Sequence, residues 1–316
     1  MRIRVKTPSR LHLGLLDLSG DLGRLYGGMG VAVAMPFTEI MFEPSDRLRI
    51  VGCVDNYLAE VVETLEKTYE FRASARIRLE SSIPAHVGLG SRTQMALAVA
   101  VGLARLNGLE RTVEELAATL GRGTISGVGV AAFKHGGFIL EGGRKIERPA
   151  AIPPILIHRP FPTNWSFTIV IPKTARGPTD QEERTLFTRL AKMDVEKAGR
   201  ISRLVLMKLL PAMVEEDITT FGEALTEIQM NLGEYFSQVQ GGIYANPMAD
   251  KILDKLTSLG AVGVGQSSWG PSLYGMYHGL ERAERAAREV AAILGDGWLT
   301  VATPPNNHGA EISVTP

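Results

Sequence analysis

The pattern of apolar and polar positions changes period several times along the chain. Residues 2–7 set Ile3 and Val5 between Arg2, Arg4 and Lys6, which predicts a half-buried strand rather than a signal peptide. A glycine-rich segment follows, and an apolar strand is expected at 30–34. Thr38, Ile40 and Phe42 alternate with Glu39, Met41 and Glu43, and residues 47–51 alternate again. Leu58, Val61, Val62, Leu65 and Tyr69 carry helical spacing. A strand at 76–80 enters a glycine loop and then a small-residue helix from Thr93 to about Leu106, stopped by Asn107-Gly108. Thr112 with Glu115 reads as the capping box of the next helix. A strand is expected at 137–141.

Prolines 149, 153, 154, 160 and 162 then punctuate a connection. They divide the chain into domains at 1–155 and 156–316. Beyond them Trp165, Phe167, Ile169 and Ile171 form an alternating strand. Helices are expected at 180–192, 196–210, 215–236 and 247–259, the last with Asn246 as N-cap and Pro247 at the first helical position. Strands at 261–265 and 272–277, a helix at 279–293 and a strand at 298–303 complete an α+β half, with helices on one face of an antiparallel sheet.

Composition narrows the class. A chain of 316 residues with 45% hydrophobic content can build two cores. Thirty-four Lys and Arg balance 34 Asp and Glu, which argues against a nucleic-acid partner. The single cysteine, Cys53, excludes an intramolecular disulfide framework and a cysteine-rich zinc site, and it reads as inert. No apolar run reaches membrane-spanning length, so no membrane partner is expected and the protein is read as cytoplasmic. The charge is nonetheless uneven. Residues 1–24 hold five Lys or Arg against two acids, and residues 72–92 hold four Arg against one Glu.

Glycine carries the functional signal. Of 34 glycines, 21 fall in the windows 20–30, 88–90, 121–143 and 260–279, which points to one site assembled from several loops. The sharpest string is Pro84-Ala85-His86-Val87-Gly88-Leu89-Gly90-Ser91-Arg92-Thr93-Gln94. It follows a strand and opens a helix, whose first amides are unpaired and carry partial positive charge, so it reads as a phosphate cradle. It is neither a Gly-Lys-Ser/Thr loop nor a dinucleotide fingerprint. Arg10, His12 and Asp17 stand among leucines, where, taken alone, a structural salt bridge or a satisfied core histidine is the better explanation. Arg24 lies between glycines and suits bidentate anion recognition. Arg122 and Ser126 occupy the third window, and Gln266, Ser267, Ser268 and Trp269 the fourth. Glu182 and Glu183 follow Thr179 and are assigned to helix capping.

These strings together resemble the GHMP kinase superfamily, with Pro84 to Ser91 matching its central motif and 8–17 and 263–272 its flanking motifs. The resemblance implies an N-terminal α+β domain with a left-handed βαβ crossover and a ferredoxin-like C-terminal domain, with the site between them. Two departures stand out. The stretch Ser126 to Ala132 lacks the carboxylate that the kinases place there, and Arg92 replaces a small residue. Six strings at 8–17, 23–28, 88–94, 121–127, 135–139 and 265–271 are similar to a non-kinase branch, the β-ribofuranosylaminobenzene 5′-phosphate synthases. That resemblance implies attack of 4-aminobenzoate, or 4-hydroxybenzoate, on phosphoribosyl pyrophosphate. CO2 and pyrophosphate are lost, and a C-riboside forms for tetrahydromethanopterin biosynthesis.

On that reading Mg2+ accompanies the pyrophosphate, no nucleotide or flavin is needed, and a homodimer is expected. Asp17, His12 and Arg24 are the catalytic candidates, with Asp17 also able to hold Mg2+. Arg10, Gly88, Leu89, Gly90, Ser91, Arg92, Thr93, Gln94, Arg122, Ser126, Gln266, Ser267, Ser268 and Trp269 are the binding candidates. Two other readings stay open: an ATP-dependent small-molecule kinase, and a ligand-binding protein that keeps the scaffold without its chemistry.

Overall fold

The computed structural model describes residues 1–52 and 55–315, and Cys53 lies outside them. The first half contains β1 (Arg2–Asp17), β2 (Arg24–Pro44), β3 (Arg49–Val51), α1 (Tyr57–Tyr69), β4 (Ala75–Ser81) and α2 (Ser91–Leu106). It continues with α3 (Val113–Thr119), α4 (Val128–His135), β5 (Phe138–Glu141), β6 (Arg144–Lys145) and β7 (Ile155–Arg159). The second half contains β8 (Trp165–Pro172), α5 (Asp180–Arg189), α6 (Val195–Leu204), a π-helical turn (Val205–Leu209), α7 (Leu210–Val214) and α8 (Ile218–Gln240). Then come α9 (Ala249–Ser258), β9 (Gly263–Gln266), β10 (Leu273–His278), α10 (Leu280–Leu294), β11 (Trp298–Thr303) and β12 (Glu311–Thr315).

The first sheet runs β12-β1-β2-β4-β3, with β5 and β6 branching from β2 and β7 pairing with β5. Strands β3 and β4 are parallel and joined through α1, a βαβ unit inside an otherwise antiparallel sheet. The second sheet runs β11-β8-β10-β9, antiparallel throughout. Its chain order of strand, helices, two strands, helix and strand is the ferredoxin-like arrangement. Helix α2 is buried along most of its length because its residues are small and apolar on nearly every side. The two predicted capping boxes, Thr112 with Glu115 and Thr179 with Glu182, both form.

Four expectations are corrected. The glycine-rich segment at 20–30 is not a loop, because β1 and β2 form one long hairpin that turns at 18–23. The boundary at 155 cuts β7, which pairs with β5, while β12 returns to pair with β1, so both belong to the first sheet. Buried Phe161 marks the true passage, its backbone held on both sides by the Asn307 amide. The second sheet is covered on both faces. Val170, Leu273 and Tyr277 pack on α9 and α10, whereas Phe167, Ile169 and Tyr274 join α6 and α8 in a core shared with Leu11 and Leu13. Finally, Asn246 accepts from Met248 N in a turn, and helix α9 starts at Ala249.

Candidate active site

Three of the predicted strings meet at one junction. Leu11 and Leu13 of β1 are fully buried in the shared core, so Arg10 and His12 point to the other face of the strand. Register shifts against β2 at Thr7/Ser9 and at His12/Gly14 bracket this segment and re-aim it. The Gly88 carbonyl accepts from Arg10 Nη1 and from Ser267 Oγ, both at 2.7 Å. Arg10 N donates to Leu89 O, Ser268 N to His12 O, and His12 N to Ser267 Oγ. Gly88 has φ +83°, and a Cβ there would strike the Ser267 carbonyl, so only glycine allows the approach.

Beyond the junction lies a cavity of about 200 Å³. Part of its lining is cationic. Helix α2 starts after Gly90 with no side-chain cap, and Gly88, Gly90, Ser91, Arg92 and Thr93 line the cavity. Its first amides are therefore free to bind an anion. Arg92 donates to His86 Nε2 at 3.1 Å and stacks on the Tyr57 ring at 4.3 Å. Arg10 has a buried Nε without a partner. Burial pushes its pKa down to about 10, against the pull of Glu183, so it remains a cation near neutrality. Arg122 is paired with Asp180, across the two halves of the molecule.

Part of the lining is aromatic. Trp269 meets Phe236 at 4.7 Å and Phe187 at 5.3 Å, both edge-on, and all three line the cavity. Asp180, Glu183, Arg184 and Phe187 share one face of α5, and Gln229, Leu232, Gly233 and Phe236 share one face of α8. Glu183 accepts from Trp269 Nε1 at 2.9 Å. Burial raises its pKa, with Trp269 and Arg10 opposing.

His12 Nε2 lies 3.1 Å from Ser126 Oγ, and both residues line the cavity. Burial, reinforced by Arg10, holds His12 well below the ordinary imidazole range, so it is neutral at pH 7. Behind Ser126 stands Glu141, fully buried. Its Oε2 accepts from Gly143 N at 2.6 Å. Burial raises this carboxyl to about 7, opposed by the amides of Gly143, Gly127 and Gly28 and by the Ser126 hydroxyl.

The structure removes Asp17 and Arg24 from the cavity. Asp17 Oδ1 accepts from Ser19 N at 2.7 Å, Ser19 Oγ at 2.6 Å and Gly20 N at 3.4 Å, so it caps the β1–β2 turn. Arg24 forks onto the carbonyls of Gly142 and Gly143, both at 2.7 Å, where its geometry serves a backbone turn instead of a phosphate. Leu89 is core, and Gln94 is spent on the Gly129 carbonyl of α4 at 2.8 Å. Ser267 clasps the junction. Gln266 reaches the cavity but is held by Ala245 N and the Ser268 carbonyl. Arg10, His12, Arg122, Ser126, Ser268 and Trp269 line the cavity. Among the described residues no group of three or more His, Cys, Asp or Glu is arranged to hold a metal.

Comparison with known proteins gives the site a context. Residues 56–137 match the GHMP kinases N terminal domain and residues 209–296 the GHMP kinases C terminal domain. The β-ribofuranosylphenol 5′-phosphate synthase of Methanothermobacter thermautotrophicus is 35% identical, with 97% of each chain covered. The protein of the same name from Archaeoglobus fulgidus is 34% identical over 99% of this chain and 100% of its own. The chain belongs to the β-ribofuranosylphenol 5′-phosphate synthase family. Its fold is that of the GHMP kinases. The homoserine kinase of Cytophaga hutchinsonii superposes with a TM-score of 0.69 at 19% identity, covering 99% of this chain and 97% of that one.

This synthase-family chain also holds residues in and behind the cavity that sequence reasoning passed over. Glu183 was assigned to capping with Glu182, yet only Glu182 caps. The aromatic partners Phe187 and Phe236 sit at ordinary helical spacing, indistinguishable from core. Glu141 ends an apolar strand, Phe138–Glu141, and a charge at that position was the available signal.

Proposed function

We propose that this protein transfers a phosphoribosyl group from phosphoribosyl pyrophosphate to the carboxylate-bearing ring carbon of a para-substituted benzoate, with loss of pyrophosphate and CO2. The observation that carries the reading is a single cavity lined both by unpaired helix amides with arginines and by an edge-on aromatic triad. A doubly anionic sugar and a flat aryl acid need those two surfaces. The names of the archaeal relatives supply the reaction class.

The chemistry balances without a base at carbon. The C1–oxygen bond to pyrophosphate breaks and leaves an electron-poor C1. The ring carbon bearing the carboxylate forms the new C–C bond. The bond to the carboxylate then breaks, its electron pair restores the aromatic ring, and CO2 departs. The protein's part is positioning and charge stabilisation. The α2 amides with Arg10 and Arg92 bind phosphate oxygens. Trp269, Phe236 and Phe187 hold the ring and exclude water. The absence of a carboxylate from Ser126 to Ala132 agrees with a reaction that activates no sugar hydroxyl, and it weighs against an ATP-dependent kinase.

Mg2+ belongs to the proposal as the counter-ion of pyrophosphate. Of the carboxylates on the cavity wall, Asp180 is paired with Arg122 and Glu183 with Trp269, so the ion would be held mainly by phosphate oxygens and water. The deciding experiment supplies phosphoribosyl pyrophosphate, Mg2+ and carboxyl-labelled 4-hydroxybenzoate or 4-aminobenzoate. Label leaves as CO2 in step with pyrophosphate. Donor binding by folded protein without label release from either acid refutes the proposal and supports a ligand-binding role.

A further inference from the structure

We propose that Glu141, Ser126 and His12 form a buried relay that accepts the para-hydroxyl proton of a 4-hydroxybenzoate-class acceptor during attack and returns it after CO2 leaves. The inference rests on the phosphoribosyl-transfer reading and deepens it.

The geometry is set by two independent observations. Ser126 Oγ is 3.1 Å from His12 Nε2. On its other side, a Cβ built on Gly28 would lie 2.8 Å from Ser126 Oγ and 2.7 Å from Glu141 Oε1, so both oxygens crowd over the same glycine. Glu141 is fully buried, and the Ser126 hydroxyl bears on its carboxyl together with the amides of Gly143, Gly127 and Gly28. At the opposite end His12 lines the cavity, and with Nε2 facing Ser126 its Nδ1 is the nitrogen left for a ligand.

The proton steps balance. The acceptor O–H proton passes to His12 Nδ1 as the Nε2 proton passes to Ser126 Oγ and the Ser126 proton to Glu141 Oε1. The phenol oxygen pushes its electron pair into the ring, the carbon para to it attacks C1, and pyrophosphate leaves. A dienone carrying carboxylate and ribosyl results. Loss of CO2 restores the ring as a phenolate, which recovers its proton along the same path. His12 needs no lasting charge, in keeping with its depressed pKa, and a carboxyl near 7 is matched to the task. The groups facing Glu141 are the amides of Gly28, Gly127 and Gly143 and the Ser126 hydroxyl. Arg24 stands on the neighbouring carbonyls of Gly142 and Gly143, and Arg10 acts on His12. An arylamine acceptor donates its nitrogen lone pair without losing a proton, so it does not depend on the relay. Glu141 is thus a positioning residue that acts through Ser126 and His12.

The test uses Glu141→Gln, Ser126→Ala and Gly28→Ala. The last wedges a methyl between the two oxygens without removing a relay group. With 4-hydroxybenzoate, kcat falls about 100-fold in Glu141→Gln, and the acid limb of its pH profile near 7 disappears. The loss with 4-aminobenzoate is at least about tenfold smaller. On the free protein, 15N NMR of the His12 ring follows an ionisation near 7 in the parent and in neither Glu141→Gln nor Ser126→Ala. Equal losses with both acids, or a His12 signal blind to Glu141, overturn the relay. Turnover of neither acid by the parent protein overturns the reaction instead, and the NMR comparison still decides the relay on its own.

Discussion

The two walls of the cavity are built by opposite means. The wall from the first half is made of backbone and fixed cations: the free amides of α2, the left-handed glycines 88 and 90, Arg10 and Arg92. The wall from the second half is made of side-chain area: Trp269, Phe187 and Phe236, with the carboxylates of Asp180 and Glu183 among them. The difference follows from what each surface would bind. A phosphate is small, strongly charged and recognised by a few amides at close range, which only glycine backbone permits. An aromatic acid is recognised by contact area, which large side chains on helix faces supply.

If the walls are specialised in this way, they fail differently. Arg10→Met removes a desolvated cation that also bonds the phosphate loop, and kcat/KM for phosphoribosyl pyrophosphate falls about 100-fold. A steady-state measurement at saturating acceptor checks it, and a loss confined to the acceptor KM would break the comparison. Trp269→Leu keeps an apolar side chain but loses ring area, the edge-on contacts and the hydrogen bond to Glu183. The expected effect is about a tenfold rise in acceptor KM. Donor affinity by calorimetry stays close to that of the parent. Equal weakening of donor and acceptor would merge the two walls into one.

The walls also differ in how far they were legible. The anion-binding wall is local in sequence, because a strand, two glycines and a helix start must be contiguous to present amides. The string from Pro84 to Gln94 therefore announced itself, as did the capping boxes and most helices of the second half. The aromatic wall is assembled from the faces of α5 and α8 and one loop, and each contribution repeats at the spacing of an ordinary buried face. Glu183 was hidden by a neighbour, Glu182, that had a sufficient structural reason to be acidic. Glycines misled in the other direction. Those at 28 and 30 lie inside a strand, where Gly30 clears the Leu11 carbonyl and Val128 and Gly28 clears Glu141 and Ser126, so they mark close packing and not a loop.

Asp17 and Arg24 supply the smallest expected effect and a sharp control. Both resemble site residues in sequence, being polar, flanked by glycine and leucine, and close to Arg10 and His12. In the folded chain Asp17 holds the turn through Ser19 and Gly20, and Arg24 holds the carbonyls that follow Glu141. Asp17→Ala should cost about 1 kcal/mol of stability through the lost turn bonds, read from the urea midpoint. Turnover per folded molecule should stay within about twofold, because Asp17 does not line the cavity and shares no partner with the residues that do. A loss beyond tenfold in protein that unfolds at the parental midpoint would return Asp17 to the chemistry. It would also mean that the hairpin tip reaches the cavity during turnover, and the first wall would then extend beyond the α2 amides.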